Sequence, residues 1–229
     1  MAKSVLIVGA GSGLSASLAR CFASAEMRIV LAARDTDKLS ELCAETGATA
    51  ITCDVARPED VDRLFAVAEQ AGGTLDTVVY NPSARVRGRF VELDPAAVAN
   101  ALNITAYGGF LVGQRAAQRM LQQGHGAILF TGASASVKGY AQSAPFAMGK
   151  FALRGLAQSM ARELAPQNIH VAHFVIDGGI LSTHKLHTDS TEDSLLDPDA
   201  IAQSYLHVLQ QHRSAWTWEV ELRPWTESF

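Results

Sequence analysis

The sequence predicts a Rossmann-type α/β fold: a doubly wound parallel sheet of six or seven strands with helices on both faces. Three observations predict it. Short apolar runs alternate with longer stretches of helical period, the first run ends in a glycine-rich turn, and no linker or internal repeat interrupts the alternation. The strand candidates are Val5–Val8, Arg28–Ala33, Thr49–Cys53, Thr77–Tyr80, Ala127–Thr131 and His170–Ile176. Each is short, apolar or β-branched, and bounded by turn formers. Between them, Asp35-Thr36-Asp37 is expected to cap a helix that stops at Gly47. Arg57-Pro58-Glu59-Asp60 opens another, with proline early and acid in the first turn, and Asp94-Pro95 and Asp197-Pro198 repeat the signal. Ala96–Leu121 and Pro145–Leu164 carry the Ala, Gly and Leu that close helix packing needs, and a last helix is expected over Pro198–Gln211. The tail Trp216–Leu222 alternates apolar with polar residues, as a closing edge strand does. Residues 180–197 hold hydroxyls, histidines and few apolar groups, which predicts a mobile substrate loop within one domain spanning 1–229.

Composition narrows the function. Hydrophobic residues make up 48% and charged residues 18% of 229, the balance of a chain with a large buried core. Nineteen basic residues stand against 23 acidic ones, a net charge of −4, so neither nucleic acid nor a membrane surface is the expected partner. The three cysteines, Cys21, Cys43 and Cys53, are odd in number and lack metal-site spacing, which predicts no metal and a reducing, cytoplasmic setting. The early apolar run Val5–Val8 is too short for a signal segment or a span.

The first turn, Gly9-Ala10-Gly11-Ser12-Gly13-Leu14-Ser15, joins a strand to a helix. Backbone N–H groups there face an anion, and glycine lets the chain approach it. At the tip of the second strand, Ala33 stands where an acid would select NAD, and Arg34 follows. A guanidinium suits the 2′-phosphate of NADP(H), the preferred cofactor; the alternative is an arginine paired with Asp35 or Asp37.

These features, with Cys53-Asp54-Val55, Tyr80-Asn81-Pro82-Ser83-Ala84 and Phe146-Ala147-Met148-Gly149-Lys150, resemble the short-chain dehydrogenase/reductase superfamily over about residues 3 to 223. The resemblance implies that Gly9, Ser12, Gly13 and Leu14 meet the pyrophosphate, with Ser15 at the loop's third glycine. It places Asp54 and Val55 at the adenine, and Asn81 and Pro82 at the turn after the fourth strand. Gly178 and Ile180 would border the nicotinamide, with Ser182 or Thr183 near phosphate. It also implies Lys150 on the ribose, and a homodimer or homotetramer.

By the same resemblance, a tyrosine and a serine flank the substrate oxygen and an asparagine supports a proton relay. Here Phe146 takes the tyrosine position, Ala133 the serine position with Ser134 beside it, and Thr105 rather than Asn103 the asparagine position. A phenyl ring neither donates nor accepts a proton. Ser134, Tyr140, Tyr80, Asp177, His184 and His187 remain as substitutes, with packing, rim or turn roles as their alternatives. Arg85, Arg87 and Arg89 alternate and either receive an anionic substrate or form a solvated face. The expected function is NADP(H)-dependent hydride transfer to or from a small carbonyl or alcohol at an atypical site. A NADP(H)-binding sensor without turnover is the alternative, and a lyase- or isomerase-like activity a third.

Overall fold

The structure is a computed structural model that describes residues 3–181 and 194–227. Its strands are β1 (Ser4–Val8), β2 (Arg28–Ala33), β3 (Thr49–Thr52), β4 (Thr77–Tyr80), β5 (Gly126–Thr131), β6 (Ile169–Ile176) and β7 (Glu219–Leu222). They form one sheet in the order β3-β2-β1-β4-β5-β6-β7, each neighbouring pair parallel. The tail strand is therefore an edge that closes the sheet. The helices are α1 (Leu14–Ser24), α2 (Ser40–Thr46), α3 (Pro58–Gly72), α4 (Pro95–Leu102), α5 (Gly108–Gln123), α6 (Ala144–Leu164) and α7 (Pro198–Leu209).

Strand periodicity sorts the two layers. Val5 and Ile7 of β1 pack with Leu18 and Phe22 of α1, Leu42 of α2 and Tyr205 of α7. Leu6 and Val8 point the other way, to Phe65 of α3, Val112 of α5 and Leu153 of α6. A side-chain period of two on a sheet covered on both faces gives this division.

Two elements depart from the sequence expectation. Asp35 does not cap α2 directly: its Oδ1 accepts from Asp37 N at 3.2 Å, a 3-10 turn over Asp37–Leu39 intervenes, and α2 starts at Ser40. Gly47 then ends α2 at φ +68°, as expected. The stretch Ala96–Leu121 is not one regular helix. A wide π turn over Asn103–Tyr107 separates α4 from α5. Below it, the buried Tyr80 hydroxyl donates to the carbonyl of Ile104. Gly108 lets the helix come this close, since a Cβ there would stand 2.6 Å from the Tyr80 hydroxyl and 2.9 Å from the Val55 carbonyl. Pro95–Gln123 is long and apolar enough to cross a bilayer by length and composition, but here Ala101, Leu111, Val112 and Ala116 are buried in the fold.

All seven strands end at one edge of the sheet, and the loops that follow them gather there. In open α/β sheets ligands bind at that edge, where the winding direction reverses. In this sheet the reversal lies between β1 and β4.

Candidate active site

The glycine turn after β1 is tied to the turn after β4. Gly9 adopts φ +81°, and a Cβ there would meet Pro82 N at 2.7 Å, so glycine is required twice over. Ser15 Oγ donates to Gly9 O at 3.0 Å, and Asn81 Nδ2 donates to Ser15 Oγ at 3.1 Å. The serine at the third glycine position thus joins the two turns by hydrogen bonds. A Cβ at Gly11 or Gly13 would meet nothing within 4 Å, so both glycines leave open space beside the first turn of α1. No side chain caps that helix and no acid stands in its first turn.

A cleft of about 760 Å³ opens at the reversal point, lined by the loops after β1, β4, β5 and β6 and by the start of α6. It brings together Gly13, Leu14, Asn81, Ser134, Phe146, Lys150, Gly178 and Ile180 from the sequence expectation. Arg34, Asp54 and Val55 do not line it. They follow β2 and β3 on the same sheet edge, where Cys53 N donates to Ala33 O at 2.9 Å and holds the two strand ends together. Arg34 is exposed, and Asp35 pairs with Lys38 at 2.8 Å instead of with it. Asp54 Oδ1 accepts from Ala56 N at 3.0 Å, and Val55 is buried. Ser12 is exposed on the glycine turn and Pro82 packs against Gly9.

Lys150 lies at the cleft floor, 2% exposed, and its Nζ donates to the carbonyl of Thr131 at 2.7 Å. Burial, and then the charge of Arg85, push its pKa down to about 7. Phe146 stands one helical turn earlier on α6, with Lys150 Nζ 6.0 Å from its ring centroid. Arg85 Cζ lies 4.5 Å from the same centroid. Thr105 is buried and its Oγ1 accepts from Ala84 N at 3.0 Å, while Asn103 is exposed, so threonine and not asparagine holds the turn after β4. A Cβ at Gly149 would stand 2.9 Å from Thr105 Cβ, so α6 seats directly on the π turn.

The substitutes for a proton carrier separate clearly. Tyr80 is buried on Ile104, and burial pushes its phenol far above the ordinary range, which removes it from the site. Asp177 is buried between two cations, Lys138 Nζ at 3.0 Å and Arg223 Nη2 at 3.4 Å, and ties three loops together. Ser134 and Tyr140 line the cleft, Tyr140 at its exposed rim. Ser182, Thr183, His184 and His187 lie outside the described residues. The described ends of the expected loop meet, since Ile180 and Leu196 form a parallel bridge and Leu181 N donates to Leu196 O at 2.8 Å.

One network was not foreseen. Ser136 Oγ lies 3.3 Å from His173 Nε2, His173 Nδ1 lies 3.1 Å from Glu219 Oε2, and Arg154 grips Glu219 through two bonds of 2.6 and 2.7 Å. Ser136 Oγ also accepts from Ala133 N at 3.1 Å, so the network fixes the strand-to-turn backbone at the cleft wall. Burial pushes His173 down to about 4 against the pull of Glu219, so it acts as a neutral bridge. The signal for it was a polar residue inside β6, all eight residues of which are buried.

Comparison with known proteins fits this geometry. Residues 3–193 match the model of the short chain dehydrogenase family. An uncharacterized oxidoreductase of Staphylococcus aureus is 24% identical over 228 residues, 97% of each chain. The structure of a short-chain dehydrogenase from Rhodopseudomonas palustris superposes with a TM-score of 0.85 at 34% identity, covering 97% of this chain and 99% of that one. An alcohol dehydrogenase from the archaeon Thermococcus sibiricus, complexed with 5-hydroxy-NADP, shares the fold with a TM-score of 0.88 at 21% identity over 100% and 99% of the chains.

The lysine gives a pH signature. Between about pH 7 and 10.5 the unfolded chain holds a proton at Lys150 that the folded chain has released, so folding gains as pH rises through that window. Urea unfolding of wild type minus that of Lys150→Met should rise there by roughly 1 kcal/mol per pH unit. A difference that stays flat would show the ammonium to be charged throughout. With a family model covering most of its length and a 34% identical structural relative, the chain belongs to the short-chain dehydrogenase/reductase family of NAD(P)-dependent oxidoreductases.

Proposed function

We propose that this chain is an NADP(H)-dependent oxidoreductase that moves hydride to or from a small carbonyl or alcohol at a site that lacks the family's phenol. The observation that carries this is the cleft itself, with an open glycine cradle at one end and a buried lysine at the other. A dinucleotide fits these residues. The space left at Gly11 and Gly13 suits a pyrophosphate on the uncapped α1 terminus, and Lys150 would hold the ribose. Asp54 and Val55 would border the adenine, and Gly178 and Ile180 the nicotinamide. Arg34, exposed at the tip of β2 and without an acidic partner among the described residues, would hold the 2′-phosphate. The archaeal fold neighbour complexed with 5-hydroxy-NADP accords with this choice.

The bound cofactor supplies or accepts hydride. This chain's residues must supply a proton to the carbonyl oxygen as the electron pair of its π bond moves there. Ser134 orients that oxygen from the cleft wall, and Lys150, whose proton exchanges near neutral pH, serves as the proton reservoir through water. Phe146 contributes shape and no proton. Self-association into a homodimer or homotetramer, in a cytoplasmic setting, completes the proposal. Tyr107 and Phe110 stack at 6.1 Å at the start of α5, and Met148 and Phe151 stand half-exposed on α6, an apolar surface that a second copy would cover.

Calorimetry should find NADPH bound about 10- to 100-fold more tightly than NADH, with Arg34→Ala closing the gap. Equal affinities untouched by the substitution would sink the 2′-phosphate assignment. Phe146→Tyr should raise NADPH consumption with a carbonyl panel by about 10²-fold. High wild-type turnover that the added hydroxyl leaves alone would place the proton source elsewhere. Tight NADPH binding with no turnover in either protein favours the sensor. Light scattering should return two or four chains per particle, and a monomeric mass at micromolar concentration refutes the assembly.

A further inference from the structure

We infer that the substrate carries a carboxylate as well as its carbonyl group, received by Arg85 and Arg87 in the cleft. The inference rests on the oxidoreductase reading and adds the substrate's chemical class.

The alternating arginines do not behave alike. Arg89 Nη1 pairs with Glu92 Oε1 at 2.7 Å and stands away from the cleft. Arg85 and Arg87 line the cleft instead. Among the described residues neither has a carboxylate within ion-pair distance, unlike Arg115 on Asp62 or Arg154 on Glu219. No acidic side chain among the described residues lines the cleft. In a chain of net charge −4, this places uncompensated positive charge at one point. Arg85 feels it, its pKa being lowered by burial and then by the charge of Arg87. An anion seated there would relieve like charges facing one another.

Phe146 explains how the guanidinium is presented. Arg85 Cζ lies over the phenyl ring, 4.5 Å from its centroid, a cation–π contact. A phenyl carries no hydrogen-bonding atom, so this contact does not use up the guanidinium N–H groups that a carboxylate would take. The residue at the tyrosine position thus serves as a platform. Lys150 Nζ lies 6.0 Å from the same centroid, so the arginine and the lysine flank one ring in one cleft. The competing occupant is a phosphate of the cofactor, and affinity for the cofactor separates the two.

The test is calorimetry on protein saturated with NADP⁺, in which a ketone binds but cannot be reduced. Pyruvate and benzoylformate are each compared with their neutral amides. At least one carboxylate should bind tenfold or more tightly than its amide, and the advantage should shrink with added salt. Arg85→Met and Arg87→Met should each remove about tenfold, Arg85→Lys less, and Arg89→Met nothing, all with NADP⁺ affinity unchanged. Equal binding of acid and amide for both pairs overturns the proposal, as does a fall in NADP⁺ affinity in the Arg85 variants. If NADP⁺ gives no heat, the cofactor reading fails by itself, and the acid-against-amide comparison on the unliganded protein still decides this one.

Discussion

The ammonium of Lys150, taken out of water with the Thr131 carbonyl as its hydrogen-bond acceptor, constrains everything around it. A lone buried charge costs several kcal/mol, and a lysine answers by releasing its proton near neutral pH. To hold Nζ on that carbonyl, α6 must sit at one height against the end of β5. Gly149 permits this by pressing onto Thr105, and Thr105 in turn accepts from the backbone of Ala84. The π turn before α5, held by Tyr80, places Thr105 within reach. Position, burial and proton affinity of one nitrogen thus depend on four segments far apart in the chain.

The departures from the family pattern share a direction. Ser15 links the glycine turn to Asn81, Thr105 binds the next turn, and Ser136 with His173 fixes the backbone beside Ala133. Each replaced or neighbouring polar group is engaged in holding backbone. Phe146 and Ala133 have no polar side-chain atom to engage, and the Phe146 ring faces a guanidinium. The scaffold that would seat a dinucleotide is tightened while the ordinary proton donor is gone. A general acid is worth about 10²–10⁴ in rate, so the arrangement gives up speed unless the substrate or solvent supplies the proton readily.

Much of this was legible beforehand. Alternating apolar runs and the glycine turn predicted the sheet and its first crossover, because those signals are local and repeat with fixed periods. Gly47 as a helix stop and Asp94 and Asp197 as helix starts were equally local, and both aspartates accept from backbone N–H groups as expected. The π turn was not legible: it depends on a tyrosine 24 positions earlier, and helical period runs straight through Asn103–Tyr107. The Ser136–His173–Glu219 network joins residues 37 and 46 positions apart, and no spacing rule marks such partners. Asp177 looked like a turn former from its two following glycines, and its place between Lys138 and Arg223 needed the folded chain.

The cleft's electrostatics follow from where acids are spent. Asp177 and Glu221 pair with Lys138 and Arg223 behind the wall, and Glu219 pairs with Arg154 beneath it. The Asp177 and Glu219 carboxylates are buried or half-buried in structural pairs, so their charge does not reach the cavity. Arg85 and Arg87, which line it, have no carboxylate partner among the described residues. A low-dielectric wall concentrates such a field, and an anion entering meets the attraction of both guanidiniums before any contact forms. Among the described residues no acid lines the cleft, so site potential and net charge are set by different residues. Charge that elsewhere cancels in pairs is here left open at the end of the sheet.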